Sequence, residues 1–218
     1  MIAVGQSTAD VLAAKWSPAA PVRVIRNGVD VTAVRAVAAG PRRGLGDGLQ
    51  ILSLSRLAPE KGLDRLLDAL PALLERDPAA RLTLAGSGPL AEDLRARADA
   101  LGVGRAVDLP GHVEPWGAMA QHDVIVQLSA WENLSYTLLD AAAAGLPAVA
   151  TDVGGNGEIL PPERLVHETT PAAIADAVVR AAAEGPGEVR VGDVETMARV
   201  TAEATLEVLG RRTGKSSG

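Results

Sequence analysis

Two cations, Arg56 and Lys61, stand five residues apart in the run Ser55-Arg56-Leu57-Ala58-Pro59-Glu60-Lys61-Gly62. An apolar stretch at 49–54 precedes this run and a segment of helical periodicity follows it, so it reads as a strand end passing into a helix start. Free N–H groups at a helix entry already favour an anion. A planar Arg fork and a Lys point charge added there make a diphosphate site, able to neutralise charge building on a leaving phosphate. Lysine is otherwise scarce: Lys15, Lys61 and Lys215 are the only three among 21 Lys and Arg, which marks Lys61 as a chosen residue.

A second group lies further on. Trp131-Glu132-Asn133-Leu134-Ser135-Tyr136 leads into a helical segment that carries Asp140, with seven residues between Glu132 and Asp140. A helical rise of about 1.5 Å per residue places these carboxylates at most about 12 Å apart, a span that suits two ends of one ligand rather than one metal ion. Asn133, Leu134 and Ser135 present backbone N–H groups at the helix start to an anion or a sugar hydroxyl. Asp140 stands among Leu138, Leu139, Ala141 and Ala142, where an unpaired carboxylate is costly.

Positioning these groups requires a layered scaffold. Strands are expected at Leu49–Leu54, Arg81–Ala85, Ala106–Leu109, Val124–Leu128 and Ala148–Ala150, with helices at Leu63–Glu75, Leu90–Leu101, Trp116–Gln121 and Leu134–Ala144 between them. The alternation predicts an α/β fold, a Rossmann-like doubly wound parallel sheet, with ligands beyond the carboxyl ends of the strands. Residues 1–30 read as a helix (Thr8–Lys15) and a strand (Val22–Ile25) closed by an Asn27-Gly28 turn, 31–48 as a linker and 49–170 as the core. Residues 171–210 read as two helices (Pro171–Glu184 and Val194–Leu209), and 211–218 as a disordered tail.

Composition narrows the class. The chain has 218 residues, 47% of them hydrophobic, enough for a substantial core. It has no cysteine, and His112, His122 and His167 lack metal-site spacing, so no metal is expected. A net charge of −6 argues against a nucleic-acid partner. No signal peptide and no apolar run of membrane-spanning length is visible, so a cytoplasmic location is expected.

The order NGVD (27–30), SRLAPEKG (55–62), LAGSGPL (84–90), LPGHV (109–113) and WENLSYTLLDAAAAGLPAVATDVGGNGE (131–158) is similar to glycosyltransferase family 4 over roughly residues 1–210. It corresponds to the carboxyl-terminal, donor-binding half of that family's two-domain GT-B fold, with most of the acceptor domain absent and residues 1–30 as its remnant. The resemblance implies that Arg56 and Lys61 bind the donor diphosphate, Glu132 contacts the sugar and Asp140 the nucleotide ribose. Gly86 and Gly88 would line the nucleotide, Leu109-Pro110-Gly111 would lie near the base, His112 would face the donor sugar and Gly154–Glu158 would turn at the cleft. Two departures stand out: Asp140 where the family usually has Glu, and Asn133 where Gly is common. The implied activity is retaining transfer of a hexose from a nucleoside diphosphate sugar, without cofactor or metal, the departing diphosphate taking the acceptor proton on the same face. In a complete enzyme, peripheral attachment to a membrane is a further expectation.

Two rival readings stay open at this level. Gly86-Ser87-Gly88-Pro89-Leu90-Ala91 matches G-x-G-x-x-A, and Asp108 ends the next strand about 20 residues on, as a dinucleotide-binding oxidoreductase requires. Alternatively the chain is a non-enzymatic nucleotide-sugar-binding module or a truncated relic. The helix Val194–Leu209 would reach back onto the absent domain, leaving Met197, Val200 and Leu206 exposed. Self-association, or a separate protein supplying the acceptor half, is therefore expected.

Overall fold

The computed structural model describes residues 1–39 and 48–213, with side chains up to residue 209. Six parallel strands form one sheet: β3 (Gln50–Leu54), β4 (Arg81–Ala85), β5 (Val107–Gly111), β6 (Val124–Gln127), β7 (Ala148–Thr151) and β8 (Leu165–Val166). Their order is β5-β4-β3-β6-β7-β8, a doubly wound topology whose strand order reverses between β3 and β6. Before it, β1 (Ile2–Ala3) and β2 (Arg23–Val24) form a small parallel pair flanking α1 (Gln6–Trp16).

Alternate residues of each strand feed the two faces of the sheet. Ile51, Leu82, Leu84, Val124 and Val126 face a core closed by α3 (Leu63–Arg76), α4 (Ala91–Ala100) and α8 (Pro171–Glu184). Leu52, Ile125, Ala148 and Ala150 face the other core, under α2 (Val31–Ala38), α5 (Pro115–Ala120), α6 (Tyr136–Ala144) and the short α7 (Asn156–Ile159). The chain then returns through α9 (Val194–Thr213).

Several expectations are corrected. Residues 31–38 are a helix, not part of a linker: the Asp30 carboxylate caps the Ala33 N–H at 2.8 Å, and Val34 is fully buried where α2 packs on α5 and α6. The rest of that stretch, 40–47, lies outside the described residues. Ala106 belongs to a 3-10 turn, and β5 instead runs on through Pro110 and Gly111, which an edge strand tolerates. Helix α6 starts at Tyr136 because Ser135 is its N-cap. Asn27-Gly28 is no turn: Gly28 lets the chain pass the Asp193 backbone, where a β-carbon would stand 2.2 Å from the carbonyl oxygen, and Val29 bridges Asp193. Met197 is half-buried, its sulfur accepting from the Gly28 N–H at 3.3 Å, and Val200 is also half-buried. Among the described residues, the large apolar side chains that α9 exposes are Leu206, Val208 and Leu209. Helix α9 reaches Thr213, three residues into the expected disordered tail, and 214–218 lie outside the described residues.

Candidate functional site

The loops after β3 and β6 meet where the strand order reverses, which is where a doubly wound sheet opens a crevice. Beyond β3 the chain makes a 3-10 turn, Pro59–Lys61, stopped by Gly62 in the left-handed region at φ 62°. A β-carbon at Gly62 would lie 2.2 Å from the Leu128 carbonyl oxygen, so glycine lets the two loops close on each other. The Ala130 N–H donates to the Glu60 carbonyl at 2.8 Å across the same seam. Both sequence-defined groups, 71 residues apart in the chain, are thereby joined: Lys61 Nζ lies 2.5 Å from Glu132 Oε1.

Glu132 is largely buried and also accepts from Ser129 Oγ at 2.8 Å. The Ser129 carbonyl in turn receives the Thr151 hydroxyl at 2.6 Å, so the carboxylate is anchored through β7. Arg56 is more exposed and pairs with Glu60. Its hydrogen bond, with the nearby backbone and Lys61 adding to it, holds the Glu60 carboxyl below its usual range. Both expected phosphate-binding cations therefore carry a carboxylate partner.

A cavity of about 510 Å³ gathers Arg56, Lys61, Glu132, Asn133, Leu134 and Ser135, together with Asn27, Gln127, Trp131, Tyr136 and Thr137. Ser135 Oγ accepts from the Leu138 N–H at 3.3 Å, which caps α6 and leaves the N–H groups of Tyr136 and Thr137 as its first turn. The Leu134 carbonyl receives Asn27 Nδ2 at 3.0 Å, and the Asn133 carbonyl receives the Gly155 N–H at 2.6 Å. Gly154, at φ 55°, and Gly155 let the turn after β7 run against this loop: β-carbons there would stand 1.7 and 2.2 Å from the carbonyl oxygens of Glu132 and Asn133. Glu158 points elsewhere, pairing with Arg26 at 2.8 Å beside a separate cavity.

An adjoining cavity of about 370 Å³ shares Leu54, Ser55, Arg56 and Thr137 with the first and adds Gly86, Ser87 and His112. His112 thus lines the cavity of Gly86 and not that of Glu132. Gly86 and Gly88 are also required by packing, since β-carbons would stand 1.9 Å from the Ser55 oxygen and 2.3 Å from the Leu57 oxygen. Gly88 lines neither cavity. The G-x-G-x-x-A run follows β4, one strand out from the point where the strand order reverses, which argues against the dinucleotide reading.

Asp140 lines neither cavity either. It is half-buried on α6, and burial first, then the Glu114 carboxylate, raise its pKa against the opposing effect of a hydrogen bond from the Trp116 side chain. Glu114 itself caps α5 through the Trp116 N–H at 3.0 Å and the Gly117 N–H. Sequence reasoning missed Gln127 and Ser129 at the site and Trp116 beside Asp140: nothing in their local pattern marks them, and only the sheet register and helix packing place them. Among the described residues no group of three or more His, Asp and Glu is placed to hold a metal ion, and no helix is long and apolar enough to cross a membrane.

The family model for glycosyl transferases group 1 matches residues 43–193. The chain is 32% identical over 183 residues, 77% of its length, to a GDP-mannose-dependent alpha-(1-6)-phosphatidylinositol monomannoside mannosyltransferase of Mycobacterium tuberculosis, of which it covers 46%. It is 36% identical over 142 residues, 64% of its length, to the glycogen synthase of the same organism, of which it covers 34%. It thus spans about half or less of these relatives. Among solved structures, Anabaena Alr3699/HepE in complex with UDP and glucose superposes with a TM-score of 0.78 at 22% identity, over 94% of this chain and 62% of that one. The architecture is one Rossmann-like half of the GT-B fold, and with the family model spanning most of the chain, the protein belongs to the group 1 glycosyl transferases.

Proposed function

We propose that this chain is the donor-binding half of a retaining hexosyltransferase that uses a nucleoside diphosphate sugar and needs no metal. The observation that carries the reading is the Lys61–Glu132 pair at the crevice, with the first turn of α6 opening on the same cavity. A diphosphate entering there takes over Lys61 and the helix N–H groups. Glu132, released from Lys61 but still held by Ser129, is then free to accept hydroxyl hydrogen bonds from the sugar. Arg56, at the junction of the two cavities, reaches the same phosphates, and the smaller cavity with Gly86 and His112 takes the nucleoside. As the glycosidic bond breaks, Lys61 and Arg56 stabilise the charge on the departing diphosphate, whose oxygen receives the acceptor proton.

The curated relatives include a GDP-mannose-dependent enzyme and the superposed structure holds UDP, so both bases are candidates. We place the chain in the cytoplasm, with an acceptor half supplied by a further domain or a separate protein. Calorimetry with UDP, GDP and their hexose conjugates tests the donor assignment. Binding of one of these series, unchanged by EDTA, is expected, and no binding of either series overturns it.

A further inference from the structure

Gln127 closes β6 and is 6% exposed, yet it lines the same cavity as Arg56, Lys61 and Ser135. Its orientation is fixed by a relay. Ser135 Oγ accepts the Leu138 N–H as the cap of α6 and donates its own proton to Gln127 Oε1, 2.7 Å away. The acceptor end of the amide is thereby used, and Nε2 is left buried with no hydrogen-bond partner. Buried polar atoms are seldom left so, because an unmet donor forfeits its hydration without return. A neutral Leu would fill the same volume without that cost, and the surroundings on this face, Ile125, Leu138 and Leu139, are apolar. The donor is covered in the empty cavity, so a ligand oxygen meets it once the amide turns toward the cleft, and such a ligand would supply the partner that the protein does not.

We infer that Gln127 is a further donor-binding residue, its Nε2 donating to a phosphate oxygen of a nucleoside diphosphate seated at the first turn of α6. This rests on the donor-cleft reading above. A phosphate is favoured over a sugar hydroxyl as the acceptor because Ser135 ties the amide to the cap of α6, the end of the helix that attracts an anion. Glu132, an acceptor only, already covers the hydroxyl role. The amide then supplements Lys61 with a neutral, directional contact buried beneath the phosphates.

The test compares wild type with Gln127→Leu, and with Gln127→Met as a second apolar variant whose unbranched shape is closest to glutamine. Affinity for UDP and GDP is read by calorimetry, and for uridine and guanosine by saturation-transfer NMR. Loss of about tenfold or more in affinity for the diphosphate that wild type prefers is expected, with affinity for its nucleoside unchanged. Gln127→Glu is expected to lose more, because a carboxylate repels the phosphates. Equal diphosphate affinity in wild type and either apolar variant overturns the inference. So does an equal fractional loss for nucleoside and diphosphate, the mark of a purely structural role. Absence of any diphosphate binding by wild type overturns the donor-cleft reading itself and this inference with it.

Discussion

Lys61 cannot serve Glu132 and a phosphate equally at once, and that competition gives the site a sign that can be measured. Glu132→Gln keeps the shape and the Ser129 contact but removes the charge that occupies Lys61. It is expected to strengthen binding of the bare nucleoside diphosphate while weakening the sugar conjugate, so the ratio of the two affinities inverts; calorimetry with both ligands decides. Lys61→Ala is expected to cost about 1.5–3 kcal/mol in binding either ligand, the scale of a charge-assisted hydrogen bond. Arg56→Ala is expected to cost less, because its side chain is 66% exposed and its contacts are screened. Asp140 offers a pH test. Its pKa is raised by burial and by Glu114, so the folded state prefers its protonated form, and the favourable contribution is present below the unfolded carboxylate range and lost as pH rises through the folded pKa. Asp140→Asn retains an acceptor for Trp116 and removes that ionisation. It should raise the melting temperature at neutral pH, with the gain vanishing in acid; a uniform gain or a loss across pH would contradict the burial argument.

At the scale of elements, five of the six strands were readable because apolar runs flanked by Gly, Pro and charged residues leave few alternatives, and β3, β4, β6 and β7 lie at or within a residue of their expected bounds, whereas the two-residue β8 (Leu165–Val166) is too short to leave a pattern and was missed. The loops at the crevice were readable for the same reason: Gly62, Gly86 and Gly154 mark places where backbones touch, even though the sequence alone could not say which backbones. Helix α2 was legible in principle. Asp30 followed by Val31, Val34 and Val37 at spacing three is a capped amphipathic turn, but the Gly- and Pro-rich stretch beyond it drew the whole segment into the linker. Pairs between distant elements, such as Ser135 with Gln127 or Trp116 with Asp140, depend on helix rotation over the sheet, which periodicity does not resolve. A test at this scale is Gly154→Ala. Its β-carbon would stand 1.7 Å from the Glu132 carbonyl oxygen, at a φ of 55° that alanine resists. A loss of about 1–3 kcal/mol is expected from the backbone conformation alone. At about 2–4 °C per kcal/mol for a domain of this size, a melt falling by several degrees is expected, with sugar-conjugate affinity falling more than that of the bare diphosphate. An unchanged melt would show that the turn after β7 shifts freely and does not support the Glu132 loop.

For the molecule as a whole, the question is what this chain does alone. Arg56, Lys61, Glu132 and the start of α6 come from loops at one edge of one sheet, and Trp131 and Tyr136, 62% and 51% exposed, line the same cavity. Large aromatic surfaces left open beside a charged site fit the contact zone of an acceptor or of a second domain closing over the donor. Leu206, Val208 and Leu209 add exposed apolar surface along α9. Fixing donor and acceptor in reacting geometry is worth about 7–11 kcal/mol, and domain closure also excludes water, so on the reading proposed above the donor site by itself forgoes most of the catalysis. The chain by itself is therefore expected to bind a nucleotide sugar without transferring it. Incubating it with radiolabelled UDP- and GDP-hexoses and extracts of candidate acceptors, with and without a co-expressed acceptor-domain protein, decides among three outcomes. Transfer that depends on the second protein makes this chain one half of a split catalyst. Binding without transfer under either condition identifies a donor-binding module. Transfer by the chain alone contradicts the closure argument, because it would require these loops, or a second copy docked through the exposed apolar residues of α9, to hold the acceptor as well.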